Sequence, residues 1–145
     1  MEIEITNAFD LILRMINAPT LLTEPQISAW KSAFVGELTK RFSDHWLPES
    51  PFQGNAYRSL TVLNGEVDPV LLETCQLAGI PASILKNSLP KELVIWVDPY
   101  VVSYRTGDQS PVISFWEDRS RGKLALIMQQ RAANTVKVTL RTPSP

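Results

Sequence analysis

The sequence predicts an α+β domain, with an N-terminal antiparallel helix pair and short helices packed on a small antiparallel sheet. Three observations predict it. Apolar residues recur at three- and four-residue spacing through the first third of the chain; the second half carries short stretches rich in Val, Ile, Trp and Tyr; and only a few turn-forming residues separate those stretches. Helices first and strands mostly afterwards is the order expected when helices cover one face of an antiparallel sheet. With 145 residues, 44% of them hydrophobic and 20% charged, the chain can form one core that buries roughly two thirds of its unfolded surface.

Each element has its own signal. Ile5, Phe9, Ile12 and Ile16 lie on one stripe and predict a helix over 3–16. In Thr23-Glu-Pro-Gln26, Thr23 can cap the next helix, Gln26 can return the bond as a capping box, and Pro25 sits in the first turn where its missing N–H costs nothing. Ile27, Trp30, Phe34, Leu38 and Phe42 form the apolar face of that helix, and the short link between the two stripes predicts antiparallel packing. The periodicity then lapses in the aromatic-bearing loop from Ser43 to Gly54. Residues 57–63 read as a strand ending at Asn64-Gly65. Asp68-Pro69 opens a short helix that Gly79 closes, with Leu72 and Cys75, or Leu71 and Leu77, on its buried face. Strands are expected at 93–97, 101–105 and 112–116, joined as a meander through Asp98-Pro99 and Gly107-Asp-Gln-Ser-Pro111. Residues 123–131 are compatible with helix or strand, and alternating Val136, Val138 and Leu140 suggest a last strand. The expected organisation is one domain over 1–118, an extension of it over 119–140, and a disordered tail over 141–145.

Composition excludes several classes of function. A formal net charge of -1 gives no long-range attraction to phosphate, so direct nucleic-acid binding is not expected. No apolar stretch reaches the roughly 18 residues of a membrane span. The lone Cys75 cannot form an internal disulfide, and acidic residues occupy the start MEIEITNAF, which together predict a reducing, intracellular setting. One His and one Cys cannot supply the Cys/His set of a structural zinc site. His45 is expected to satisfy local backbone groups, and Cys75, inside an apolar helical pattern, to act as a small hydrophobe. Phosphate-binding glycine loops, nucleophile elbows and His-Glu-x-x-His are all absent from the sequence. No catalytic residue, metal or cofactor is therefore expected. The aromatics Trp46, Tyr57, Trp96, Tyr100, Tyr104 and Trp116 gather around two turn-rich segments; rings of this size are more often core than surface.

Two segments carry more specific information. His45-Trp-Leu-Pro-Glu-Ser-Pro-Phe-Gln-Gly-Asn-Ala-Tyr-Arg58 resembles the first signature box of the BTG/Tob antiproliferative family. Leu89-Pro-Lys-Glu-Leu-Val-Ile-Trp-Val-Asp-Pro-Tyr-Val-Val-Ser-Tyr-Arg-Thr-Gly107 resembles the second, and Asp68-Pro69 falls between them, where the family tends to have the same pair. The resemblance runs from the first helix to about Trp116. It implies an α+β adaptor that docks on the catalytic deadenylase subunit of the poly(A)-shortening complex while RNA-binding proteins choose the transcript. Post-transcriptional repression would follow, with antiproliferative or cell-fate consequences, germ cells included, in the cytoplasm and also the nucleus. By the same resemblance the partner-binding residues are Trp96, Asp98 and Tyr57, with Tyr100, Val101 and Trp46 around them.

The chain also departs from the family pattern. Ser50 and Gln53 stand near positions where lysines are usual, Thr61 where a basic residue is common, and Val101 where a Glu normally follows the aromatic. Loss of charge with gain of apolar residues suggests an alternative: a self-assembling scaffold of an mRNA-protein complex with a weakened deadenylase contact.

Overall fold

The structure is a computed structural model and describes residues 1–120. Helix α1 spans Glu2–Ile16 and helix α2 spans Glu24–Phe42. Strand β1 (Ser59–Leu63), strand β2 (Glu66–Val67), helix α3 (Pro69–Leu77) and helix α4 (Ala82–Ser88) follow. Strands β3 (Leu93–Asp98), β4 (Val101–Arg105) and β5 (Ile113–Glu117) complete the described chain. The helix or strand expected over 123–131 and the strand expected over 136–140 lie outside the described residues.

The helix ends form as the sequence dictates. Thr23 Oγ1 accepts the Gln26 N–H at 3.3 Å while Gln26 Oε1 accepts the Thr23 N–H at 2.8 Å, closing the capping box of α2. Asp68 Oδ1 accepts the Val70 N–H at the start of α3. At the other end of α3 the Ile80 N–H returns to the Cys75 carbonyl and the Gly79 N–H to the Gln76 carbonyl. Gly79, at φ +72°, supplies the left-handed residue that this double closure requires.

The core lies between the helices and one face of the sheet. Phe9 meets Trp30 edge-on at 5.0 Å and Phe34 at 5.2 Å, which locks α1 to α2. Trp30 Nε1 donates to Thr74 Oγ1 at 3.0 Å, and Thr74 passes a hydrogen bond to the Leu71 carbonyl, so the buried polar groups joining α2 to α3 are satisfied. Val70, Leu71, Thr74 and Cys75 are the buried residues of α3, whereas Leu77 is 65% exposed. Leu77 therefore does not belong to the buried face: the helix turns it to solvent. Burial pushes the Cys75 thiol up to about 12, which keeps it protonated and unreactive near neutral pH.

The sheet is antiparallel, in the order β2-β1-β3-β4-β5. Asn64 (φ +51°) and Gly65 (φ +78°) turn β1 into β2 with the two positive φ angles of a type I′ hairpin. Two elements had no sequence signal. Strand β2 has only two residues, and α4 has seven residues with a single buried side chain, Leu85. The strand expected from residue 57 begins instead at Ser59, because Asn55–Arg58 forms a 3-10 turn.

Strand alternation divides β3 between two faces. Leu93, Ile95 and Val97 join the core with Leu60, Val62 and Val102, so Val94, Trp96 and Asp98 point away from the helices.

Candidate functional site

The two signature segments meet at the C-terminal end of β3, and a buried arginine joins them. Arg58 has no solvent exposure. Its Nε donates to the Val97 carbonyl at 2.8 Å; Nη1 donates to the carbonyls of His45 and Gln53; and Nη2 donates to the Pro51 carbonyl at 2.8 Å and to Asp98 Oδ1 at 3.1 Å. A guanidinium has five N–H groups. All five are used here, on three loop carbonyls, one strand carbonyl and one carboxylate. The Trp46 ring lies 5.5 Å from the guanidinium carbon, a cation–π contact. Gly54, at φ +77°, packs against the Arg58 fork, where an added Cβ would stand 3.4 Å from Nη1.

This loop puts one aromatic pair on the surface. The Tyr57 and His45 rings stack with centroids 3.9 Å apart and planes 6° apart, and Tyr57 is 59% exposed. Leu47, in the same loop, is 39% exposed. Tyr57 and Arg58 are neighbours in one 3-10 turn, about 120° apart around it, with Arg58 directed inward and Tyr57 outward.

Trp96 is only 8% exposed. It stands in register with Ser59 on β1 and Ser103 on β4, two small residues that leave room for the indole, and the Arg105 guanidinium carbon is 5.9 Å from its ring centre. Tyr100 sits at the tip of the β3–β4 hairpin with φ +73°, a left-handed conformation rare for a bulky residue. Glu4 of α1 accepts its N–H at 3.0 Å, and its carbonyl accepts the Asp118 N–H at 2.7 Å.

The sequence-derived residues thus separate by environment. Tyr57 is exposed and Trp46 half-buried, and both belong to the Arg58 loop. Asp98 is 2% exposed and paired with Arg58, so it supports the loop from inside the fold. Val101 is fully buried opposite Asp98, on the sheet face that points away from the helices, which corrects the expectation that it adds apolar surface: neighbouring groups on that face cover it completely. Tyr100 is tied to α1 through its N–H. Sequence reasoning missed Arg58 and the His45 ring. A fully buried arginine has the same letter as a surface one, and the only hint was a proline- and glycine-broken loop with many carbonyls and no regular structure to satisfy them. Among the described residues no group of three or more His, Cys, Asp or Glu is placed to hold a metal ion, and no helix is long and apolar enough to cross a membrane.

Comparison with known proteins gives the family. The sequence profile of the BTG family matches residues 1–116. The chain belongs to the BTG family. The human protein BTG1 is 32% identical over 119 residues, which cover 82% of this chain and 69% of the relative. Human BTG2 is 30% identical over 115 residues, covering 79% and 72%. Mouse Tob1 is 29% identical over 120 residues, but these are only 32% of that protein. Among solved structures, the BTG/Tob domain of C. elegans FOG-3 superposes with a TM-score of 0.72 at 18% identity, over 81% of this chain and 91% of that one. At that identity the likeness speaks for the fold, and it agrees with the α+β architecture of this BTG chain. None of these relatives is named for an enzymatic activity.

Proposed function

We propose that this BTG domain is a non-enzymatic adaptor in post-transcriptional mRNA regulation. It docks on the catalytic deadenylase subunit of the poly(A)-shortening complex, RNA-binding proteins supply the transcript, and repression has antiproliferative or cell-fate consequences. It acts in the cytoplasm, with the nucleus as a second compartment. The observation that carries this reading is the exposed Tyr57, stacked on His45 and held by a fully satisfied buried cation. An aromatic anchor that is rigid before binding loses little side-chain entropy on docking. A hot spot of this kind contributes on the order of 2 kcal/mol or more.

The assay is direct binding of the purified catalytic deadenylase subunit to the native domain and to Tyr57→Ala and Trp96→Ala. Tyr57→Ala is expected to weaken binding about tenfold or more while the domain stays folded. Native affinity in both variants, each shown to be folded, would remove the reading. The self-assembly alternative loses one of its two motives, because Val101 is buried and adds no apolar surface; the missing lysines remain.

A further inference from the structure

We infer that Arg58 is the positioning residue of the docking surface: its guanidinium acts as the internal template that folds the loop from His45 to Tyr57 and fixes the His45–Tyr57 stack. The consequence for binding rests on the docking reading above; the consequence for the stack does not.

The argument begins with what the loop lacks. Between α2 and β1 the chain has only short 3-10 turns, so few of its carbonyls can be satisfied by regular structure. Three of them, from His45, Pro51 and Gln53, converge on one guanidinium. The other two donors of Arg58 anchor it to β3, at the Val97 carbonyl and Asp98. The fork therefore spans from the sheet to both ends of the loop. Burying an ion pair is weak evidence for stability, since a well-packed apolar replacement is often as good. Here an apolar side chain would leave three inward carbonyls without donors, and the loop would have to reorganise to reach water. Lysine cannot substitute either, because its three donors radiate from one atom while these acceptors require a planar fork. His45 is held through its carbonyl and Tyr57 through its peptide link to Arg58, so moving the fork moves both rings of the stack.

Asp98 belongs to the same device. With 2% exposure it offers a partner almost no surface, and its Oδ1 fixes the end of the fork nearest the strand. It too is a positioning residue.

The test uses the chain's single histidine, whose ring protons give isolated NMR resonances. Stacking on Tyr57 shifts them upfield, and Tyr57→Leu gives their unstacked position. In Arg58→Lys the domain is expected to stay folded, with a cooperative unfolding transition, while the His45 resonances move to the unstacked position and binding of the catalytic deadenylase subunit weakens about tenfold or more. Gly54→Ala, strained at φ +77° and pressed towards Nη1, is expected to produce the same two changes from the loop side, and covers the case in which Arg58→Lys does not fold. Ile12→Val, a mildly destabilising core control, should move neither readout. Stacked His45 in a folded Arg58→Lys variant overturns the inference, as does an unstacked His45 with native affinity. If the native domain itself does not bind the deadenylase, the docking reading falls, and the His45 shift alone still decides whether Arg58 positions the loop.

Discussion

Asp98 and Tyr57 lie side by side in the docking reading, yet physically they are opposites. Removing the carboxylate in Asp98→Ala leaves a buried guanidinium without its charge partner, an error that costs about 3–5 kcal/mol. Removing the ring in Tyr57→Ala costs under about 1.5 kcal/mol, the range of one aromatic contact. Urea denaturation of the two variants should show this gap, and any binding loss in Asp98→Ala has to be corrected for unfolded protein. Cys75 gives a second residue-level test through pH. Its thiol is pushed up to about 12 in the fold, while in the unfolded chain it titrates near roughly 8.5. Above that lower value the unfolded state releases a proton that the native state keeps, so the native state loses stability as pH rises towards 12. The contribution is fully present below pH 8.5 or so and declines by about 1.4 kcal/mol per pH unit between the two values. Relative to Cys75→Ala, the native domain should show this extra decline between pH 9.5 and 11.5 in roughly that amount; parallel curves would show that the thiol does not titrate differently in the fold.

At the scale of elements, the features with local causes were legible. The capping box at Thr23 and the end of β1 at Asn64-Gly65 depend on residues three or fewer apart, and both form as expected. Each has a measurable worth. Thr23→Ala should cost about 1 kcal/mol in thermal or urea unfolding. Gly65→Ala should cost about 1–2 kcal/mol from backbone conformation alone, since φ is +78° and an added Cβ meets nothing within 4 Å. What the sequence could not announce depends on contacts far along the chain. Strand β2 exists because the turn brings Glu66 and Val67 back against Leu63 and Val62, and two residues show no periodicity. Helix α4 has one buried residue, Leu85, too few to mark a face. Tyr57 has a strand-like letter, but the carbonyls that Arg58 satisfies hold both residues in a 3-10 turn. The candidate site was half-legible for the same reason. The signature segments pointed to Tyr57, Trp96 and Asp98 as candidates, while their environments, one exposed and two buried, are set by Arg58 and by the strand register with Ser59 and Ser103.

For the whole molecule, the aromatic core and the Arg58 loop are built on different parts of the same sheet-and-helix frame. Phe9, Trp30 and Thr74 tie the helices together, whereas Arg58 ties the loop to the end of β3. Energetic coupling is expected within each assembly and not between them, because side chains without shared partners contribute nearly independently. Double-mutant cycles can measure this. Trp30→Phe removes the indole donor to Thr74 and should cost about 1–3 kcal/mol; combined with Tyr57→Ala, the two losses should add to within about 0.5 kcal/mol. Arg58→Lys and Asp98→Asn share one hydrogen bond, so their combined loss should depart from the sum by about 0.5–3 kcal/mol. Urea denaturation of both sets of variants decides the matter. A coupling between Trp30 and Tyr57 as large as that between Arg58 and Asp98 would mean that core and loop form one network, and that the surface around Tyr57 could not be altered without remodelling the core.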